Sequence, residues 1–410
     1  MYISVRGTPA TGSGKAGRVP GTVVVLGFVS LLTDISTEMV TAVLPLFVTM
    51  GLGLSPLFFG LLDGFYQAGT AVARIGGGYA ADRLGRPKAV AVAGYGLGVL
   101  SKVVLLPAAG FAALSGAIGL DRIGKGLRTG PRDALIAEAS PPGALGRSFG
   151  VHRALDTLGA LLGPVAAFYL LAVVPGDFDA VFTVSMCVAG LGVLLLLGKV
   201  AERPAAPAAR PRARLREAVR LAARRTPMRR MLVAAAAMSA LTVSDAFIYL
   251  TLLERGAVSA QIFPLLFLAT GVVYLTGAVP LGRLADRYGR PRVFMAGHVA
   301  IVAAYLVASG ADGLPAAGVT LALLGLYYAA TDGVLPAAAA VMVPGEWRAT
   351  AISALQTCVA LGRGLAAVVF GALWAAAGPA PALWAFAGGL AVVLLFAAPT
   401  LMRGPLGGRE

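Results

Sequence analysis

Ionisable side chains inside apolar stretches are the residues of this sequence that are best placed to do chemistry. Asp34 and Glu38 lie four residues apart in one such stretch, so a helix would present both on one face. Asp63 and Asp156 lie in two further stretches. Because carboxyl groups at membrane depth are costly and often relay protons, we predict proton coupling by these four residues, chiefly by Asp34. Arg122 is expected to change their proton affinity.

A structural role for the same charges is the alternative interpretation. Asp34 and Glu38 could pair with Arg122 or Arg153, and the pairs would then only stabilise the helix bundle. The sequence leaves both interpretations open.

Charged residues also recur at helical spacing between residues 121 and 133. Two adjacent helical stripes contain them: Asp121, Lys125, Arg128 and Arg132 on one, and Arg122, Gly126, Thr129 and Asp133 on the other. Arginine can hold a carboxylate or a phosphate in a two-pronged geometry. Lys125 and Arg128 are therefore predicted to contact substrate. A salt-bridge network with Asp34, Glu38 and Asp63 is the alternative.

Fewer ionisable residues occur at comparable positions in the second half of the sequence. The predicted substrate-binding residues of this half are Asp245, Tyr249, Tyr328, Asp332 and Gln356. Ion handling is therefore expected mainly in the amino-terminal half.

Apolar segments long enough to cross a bilayer must position these residues. Hydrophobic residues make up 58% of the 410 residues and charged residues only 13%, which excludes an ordinary soluble domain. A spanning helix needs roughly 20 apolar residues. Twelve such stretches are predicted, at 22–49, 55–80, 88–107, 112–139, 147–174, 179–199, 230–254, 260–281, 292–310, 315–343, 347–376 and 380–402.

The fourth of these stretches is ambiguous. Gly124, Gly126, Gly130 and Pro131 could make residues 121–133 a loop, and the count of spans would then be odd. We predict a helix that lines a cavity, because irregular backbone is tolerated where it faces water or protein.

The net charge of +15 comes from Lys and Arg residues that are concentrated in alternate loops. By the positive-inside rule, this asymmetry predicts a multi-pass protein of the inner (plasma) membrane with both termini in the cytoplasm, and it makes nucleic-acid binding improbable. The predicted organisation is a disordered tail at 1–20, a six-helix bundle at 21–199, a basic cytoplasmic linker at 200–229, a second six-helix bundle at 230–402 and a tail at 403–410. The linker could be a basic helix on an anionic leaflet or a solvated connection.

A charged, glycine-containing loop pattern occurs twice, starting at residues 78 and 282, which are 204 residues apart. Its residues are Gly78, Asp82, Arg83, Gly85 and Arg86 in the first copy, and Gly282, Asp286, Arg287, Gly289 and Arg290 in the second. A repeat at half the chain length is typical of duplicated membrane transporters.

These paired motifs resemble the signature loops of the major facilitator superfamily, and the resemblance extends over nearly the whole chain. Arg122 to Gly126, and the segment from Ala134 through Glu138 to Arg147, are similar to further parts of that signature. Gly159, Gly163 and Pro164 resemble, in part, a helix-packing motif of its proton-linked exporters. The resemblance implies an all-α membrane fold with twelve helices in two pseudo-symmetric six-helix bundles.

The loop motifs are predicted to hold the cytoplasmic ends of the two bundles together. Asp82 would face the amino end of the eleventh span and Arg348, and Asp286 would face the amino end of the fifth span and Arg147. Helix dipole and charge both favour such contacts, which would stabilise an outward-facing state. The alternative is that these charges only make a tight, positive loop.

Transport by alternating access is the function that these patterns favour. The resemblance implies proton-coupled export of a small, drug-like organic compound, and the cationic fourth span suggests an anionic metabolite or complex as the alternative. We expect no catalytic residue, metal or cofactor, because two histidines and two cysteines are scattered along the chain. The expected partners are a small-molecule substrate, a coupling ion (a proton) and the lipid bilayer, with the protein monomeric. A membrane-embedded enzyme and a ligand-sensing receptor rank lower.

Overall fold

The computed structural model describes residues 19–67, 69, 86–108, 110–141, 144–201, 226–332 and 348–402. Within these ranges the regular structure is helical. Several predicted features lie outside the described residues: the motif residues Gly78, Asp82, Arg83 and Gly85, most of the linker, both terminal tails, and parts of the second and tenth spans. The side chain of Arg348 also lies outside them.

The helices follow the predicted spans, and we number them accordingly. The amino-terminal half contains α1 (Gly21–Leu46) with a π-helical turn (Phe47–Gly51), α2 (56–67), α3 (Pro87–Leu105), α4 (Phe111–Ala139), α5 (Leu145–Val173) and α6 (Phe178–Lys199). The carboxy-terminal half contains α7a (Thr226–Ser239), α7b (Asp245–Glu254), α8 (Phe263–Tyr288), α9 (Arg290–Gly310), α10 (Gly313–Thr331), α11 (Arg348–Ala377) and α12 (Pro379–Met402).

Nine helices of the described chain are long and apolar enough to cross a membrane. The other three predicted spans fall short for identifiable reasons. α2 is described over 56–67 only, α4 contains many charges, and the seventh span is interrupted.

α4 is one helix from Phe111 to Ala139, so the predicted helix is correct and the loop alternative is wrong. The glycines destabilise α4 only a little, because α3 packs directly against the helix at these positions. A Cβ on Gly124 would lie 2.6 Å from the carbonyl oxygen of Gly94, and one on Gly94 would lie 2.7 Å from the amide nitrogen of Arg128. The glycines thus allow the two backbones to touch, as small residues do between membrane helices.

The predicted single helix at 230–254 is wrong, because residues 240–244 separate α7a from α7b. A buried tyrosine on α9 binds the exposed backbone there. The amide of Val243 donates to the hydroxyl of Tyr305 at 2.8 Å, and that hydroxyl lies 3.3 Å from the carbonyl oxygen of Leu241. The Tyr305 hydroxyl thus replaces hydrogen-bond partners that the backbone of residues 240–244 loses where the helix is interrupted. The interruption is therefore tolerated in an apolar environment.

α5 packs against α1 through the predicted packing motif. A Cβ on Gly159 would lie 2.9 Å from the Cα atom of Leu31, and one on Gly163 would lie 2.7 Å from the Cβ atom of Glu38. Pro164 follows within the same buried face of α5. The helix that carries Asp34 is therefore held directly against the helix that carries Asp156.

The two halves meet at the helix ends that the charge asymmetry places outside. A Cβ on Gly64 of α2 would lie 2.9 Å from the carbonyl oxygen of Gly364 on α11, and one on Gly371 would lie 2.6 Å from the carbonyl oxygen of Pro56. An aromatic cluster formed by Phe59, Phe247, Phe370 and Trp374 fills the space beside this contact. The cavity described below is therefore closed at that end.

Candidate functional site

A cavity lies between the two halves, with an empty volume of about 1120 Å³ that includes its solvent-open part. α1, α2, α3 and α4 line it from one half, and α7b, α8, α10 and α11 line it from the other. Its apolar wall includes Val40, Phe59, Leu105, Ile118 and Phe267. Its ionisable lining residues are Asp63, Lys102, Asp121, Arg122, Asp245 and Arg363. A small organic molecule with polar groups fits a site of this composition.

The amino-terminal wall of the cavity contains two cations around one carboxylate. Lys102 Nζ of α3 lies 2.6 Å from Asp121 Oδ1, and Arg122 pairs with the other oxygen of Asp121. The guanidinium of Arg122 also stacks on the Tyr66 ring, with its central carbon 3.9 Å from the ring centroid. Both Lys102 and Arg122 are 3% exposed, so this charge is held out of bulk water.

The carboxy-terminal wall combines tyrosines with one carboxylate and one arginine. The hydroxyl of Tyr328 donates to Asp245 Oδ1 at 2.6 Å. Arg363 donates from Nη2 to the hydroxyl of Tyr327 at 3.1 Å, and its guanidinium lies 5.4 Å from the Tyr328 ring centroid. Asp332 interacts electrostatically with Arg363 but does not line the cavity.

Asp63 connects the two walls across the boundary between the halves. Its carboxyl group interacts with Ser244 at the start of α7b and with Gln67 on its own helix. Asp245 and Arg363 are also within electrostatic range. Asp63 Oδ2 is buried and has no hydrogen-bond partner among the described residues. An acceptor atom therefore remains available at the cavity.

A second polar cluster lies inside the amino-terminal half, between α1, α4 and α5. Asp34 lies 3.6 Å from Arg128 and is in hydrogen-bonding contact with Asp156. Asp156 also pairs with Arg132 at 3.6 Å and with the largely exposed Arg153 at 3.1 Å. The structure thus brings together two of the predicted proton-coupling residues, Asp34 and Asp156. We call this group the Asp34 cluster.

A serine and a histidine extend the Asp34 cluster toward the amino end of α1. Ser30 Oγ lies 2.9 Å from His152 Nε2, and Arg132 donates to the same serine oxygen at 3.4 Å. Both Ser30 and His152 are buried. The ion-pair partner of Asp34 is Arg128 rather than Arg122 or Arg153, and this pair fits the alternative of a salt-bridge network between the fourth span and Asp34.

Other predicted site residues lie away from the cavity. Lys125 and Arg128 interact with Asp34, and Arg128 stacks on Tyr95 at 4.9 Å. Tyr249 donates to Thr270 at 2.7 Å inside the carboxy-terminal half. Glu38 interacts with Arg122, and Gln356 is exposed on α11.

Lys102 and Arg363 are cavity residues that the predicted site did not include. Lys102 lies near the end of its span, where a lysine ordinarily extends toward water and attracts no attention. The feature of the sequence that could have identified Lys102 is Asp121 on the next helix, a carboxylate with which it can pair. Arg363 lies in the middle of the eleventh span, flanked by glycines, and its charge alone could have indicated a site.

The second loop motif is described, and its charges face each other. Asp286 lies 3.5 Å from Arg290 with its side chain 73% exposed, and Arg287 stacks on Tyr288 at 5.3 Å. Gly289 has a φ of 98°, which glycine adopts readily, and it ends α8.

Of the other motif residues, Gly282 lies within α8, Arg86 precedes α3, and Glu138 and Arg147 are exposed on α4 and α5. The contact predicted between Asp286 and the start of α5 stays a prediction.

Two helical halves around a cavity that is closed at one end are the architecture of a secondary membrane transporter. The family model described as Major Facilitator Superfamily matches residues 26–257 and 246–408, and the chain belongs to this family. The chain is 29% identical over 366 residues to an uncharacterized MFS-type transporter of Methanocaldococcus jannaschii, covering 86% of this chain and 88% of the relative. It is 34% identical over 177 residues to an uncharacterized protein of Mycobacterium tuberculosis, covering 43% and 42% of the two chains.

Solved structures of other transporters share the fold. The nucleoside transporter NupG superposes with a TM-score of 0.80 at 16% identity, covering 94% of this chain and 100% of that chain. A POT family transporter in complex with 5-aminolevulinic acid gives a TM-score of 0.76 at 15% identity, covering 94% and 97%. The human organic anion transporter MFSD10 (TETRAN) gives 0.62 at 18% identity, covering 92% and 98%. At these identities the likeness shows the fold alone.

Proposed function

We propose that this protein is a proton-coupled exporter of a small organic compound that has at least one ionisable group. The cavity between the halves carries the proposal, because it is closed at one end and combines an apolar wall with charged residues from both halves. Such a site can be exposed alternately to the two sides when the halves rock around it. The protein would act as a monomer in the inner membrane, with both termini in the cytoplasm and without a cofactor.

The Asp34 cluster is the proposed proton site. Two carboxyl groups in contact repel each other when both are ionised, so Asp34 and Asp156 share a proton most favourably. Arg128 and Arg132 bind the charge that remains. A movement of α4 relative to α1 and α5 would change this balance and would take up or release the proton.

α4 is the proposed mechanical link between proton and substrate. Arg122 faces the cavity, whereas Arg128, six residues further along the same helix, binds Asp34. Six residues correspond to about 9 Å of helix, so a shift caused by a bound substrate is transmitted to the proton site with little loss.

Export is supported by the packing motif. Gly159 and Gly163 hold α5 against the face of α1 that contains Asp34 and Glu38. The similar motif of proton-linked exporters suggests that the same packing serves export here.

Transport of an anionic metabolite is the second candidate. It is favoured by Lys102, Arg122 and Arg363, three cations that line one cavity. It is not favoured by Lys125 and Arg128, the residues that suggested it in the sequence, because these interact with Asp34. The solved transporters of the same fold include a nucleoside transporter, a transporter in complex with 5-aminolevulinic acid and an organic anion transporter.

Sealed vesicles that contain the purified protein provide the test. A pH gradient across the vesicle membrane should drive accumulation of a substrate, and Asp34→Asn should abolish this accumulation while leaving substrate binding measurable. Asp179→Asn is the matched control, because Asp179 is an exposed carboxylate in the first turn of α6.

Two results would contradict the proposal. If the Asp34→Asn variant accumulated substrate at the normal level under a pH gradient, the Asp34 cluster would not be the site of the coupling proton. Accumulation that depends on a sodium gradient and ignores pH would replace the proton with another coupling ion.

A further inference from the structure

The charges of the cavity are not mixed evenly but are separated between its two walls. On one wall, Lys102 and Arg122 flank the single carboxylate of Asp121, which leaves one excess positive charge. Lys102 and Arg122 are almost completely buried, so water screens this charge only weakly.

The opposite wall has the opposite excess when Asp63 of α2 is counted with it, because the Asp63 carboxyl group interacts with Ser244, Asp245 and Arg363 of the carboxy-terminal half. Asp63 and Asp245 line this wall with one arginine, Arg363, and that arginine also interacts with Asp332 behind the wall. Neither Asp63 nor Asp245 forms an ion pair within 4.0 Å with a described residue. Arg363 is within electrostatic range of both carboxylates, so one cation serves two anions; their hydrogen-bonding groups, Tyr328 and Ser244, are neutral.

Each wall also has an unused hydrogen-bonding atom. Arg122 Nε is a buried donor without a hydrogen-bond partner among the described residues, although the rest of its guanidinium binds Asp121. On the opposite wall, Asp63 Oδ2 is a buried acceptor and Arg363 Nε a buried donor, and neither has a hydrogen-bond partner among the described residues. Buried polar atoms normally have partners, and the partner can be a ligand.

We propose that the substrate of this cavity is a zwitterion. Its anionic group binds at Lys102 and Arg122, its cationic group binds at Asp63 and Asp245, and its apolar body lies against Phe59, Phe267 and their neighbours. The inference rests on the proposed transport function, and it specifies the chemical class of the transported compound. A compound with a single charge satisfies only one wall and leaves the other desolvated and unpaired, which is costly.

Binding of charge-matched compounds to the purified full-length protein tests the inference. Two bodies with different charge separation are used, L-tryptophan and 8-aminooctanoic acid, each as the zwitterion, the carboxamide, the N-acetyl acid and the N-acetyl carboxamide. For at least one body, the zwitterion should raise the melting temperature most and bind at least about tenfold more tightly than either singly charged form, since one charged hydrogen bond contributes that much.

Variants assign each charge to its wall. Arg122→Gln should abolish the preference for the acid over the carboxamide and keep the preference for the free amine. Asp245→Asn should do the reverse, and Arg255→Gln, which changes an arginine paired with Asp312 outside the cavity, should alter neither preference. Arg122→Lys retains the charge and should keep part of the preference for the acid, which guards against a folding defect in Arg122→Gln.

The outcomes separate this inference from the transport proposal. A singly charged or neutral form that binds as tightly as the zwitterion for both bodies, or no binding of any form, would overturn the zwitterion. If the zwitterion binds tightly but no pH gradient drives it into vesicles, the zwitterion inference is supported and proton coupling is contradicted. If a pH gradient drives accumulation of a neutral compound and the zwitterion is not preferred, proton coupling is supported and the zwitterion inference is contradicted.

Discussion

At the scale of single residues, the buried contact of Lys102 with Asp121 shows how charges at the cavity depend on one another. Lys102 Nζ lies 2.6 Å from Asp121 Oδ1, and Arg122 binds the other carboxylate oxygen. A buried ion pair gains little over an apolar pair, but removal of one partner leaves an unpaired charge.

The contact therefore predicts an asymmetry between single and double variants. Lys102→Gln or Asp121→Asn alone should destabilise the protein by roughly 3 kcal/mol, whereas the double variant should be less destabilised than the sum of the two. Melting temperatures in detergent measure this coupling. If the effects of the two substitutions on the free energy of unfolding simply added, the contact between Lys102 and Asp121 would contribute nothing to stability. Asp179→Asn, a surface substitution, is the control.

At the scale of helices, the interruption of the seventh span places Asp245 in the first turn of α7b, at the cavity. A carboxylate is favoured at a helix amino terminus by the helix dipole. The break depends on Tyr305 of α9, whose hydroxyl binds the backbone of Val243 and Leu241. α9 thus helps to position a cavity residue that belongs to another helix.

Tyr305→Phe should loosen the break without opening a cavity, since only one oxygen is removed. The expected cost is about 1 to 3 kcal/mol, because the amide of Val243 would be left buried without its partner. Hydrogen exchange should become faster at residues 240–246 and stay unchanged in α12. Unchanged exchange at the break would show that the hydroxyl is not needed there.

The contact of α1 with α5 is the second helix-level device. A Cβ on Gly163 would meet the Cβ atom of Glu38, and one on Gly159 would meet the backbone of Leu31, so any larger side chain must separate the helices. Because Asp34 and Asp156 lie on these two helices, their contact depends on the same packing.

Gly163→Leu should therefore uncouple transport from the pH gradient as well as cost about 1 to 3 kcal/mol through overpacking. Gly190→Leu on α6 is the matched control, since a Cβ there meets no atom within 4 Å. The measurement is the ratio of gradient-driven to passive flux in vesicles. A normal ratio in Gly163→Leu would separate the motif from coupling.

At the scale of the whole molecule, contact between α2 and α11 closes one end of the cavity. The second loop motif lies at the opposite end, where Asp286 is largely exposed and pairs with Arg290. The two ends should therefore respond to substitution in opposite directions, because alternating access requires one end to open as the other closes.

Gly371→Leu should shift the population toward the state that is open outside, and Asp286→Asn should shift it toward the inward-open state by about 1 to 2 kcal/mol. Distances between spin labels near residues 53 and 378 report on the first end, and labels near residues 147 and 289 report on the second. Gly388→Leu, on an exposed part of α12, should change neither distance. Equal distances in all variants would contradict the assignment of both ends.

Orientation in the membrane follows from the distribution of Lys and Arg. In a Cys187→Ala, Cys358→Ala background, single cysteines near 53, 177, 256, 312 and 379 should react with an impermeant reagent from outside. Cysteines near 85, 143, 210, 289 and 345 should not. Reaction at position 210 in intact cells would reverse the orientation.

The sequence by itself determined the fold class and most helix positions. Length and apolar content fix a spanning helix almost independently of its surroundings, since each one must satisfy its own backbone in lipid. The repeated loop motif at residues 78 and 282 revealed the duplication. The spacing of Asp34 and Glu38 placed both on one face of a helix, and the prediction of a helix rather than a loop at residues 121–133 was confirmed.

Only the tertiary structure decided which charges meet. Helical spacing gives the face of a residue but not the neighbouring helix, so Lys125 and Arg128 could not be separated from Arg122 by sequence alone. The structure directs the first two toward Asp34 and the third toward the cavity, and it adds Lys102 and Arg363. The break before Asp245 was equally hidden, because it depends on Tyr305, 60 residues further along the chain.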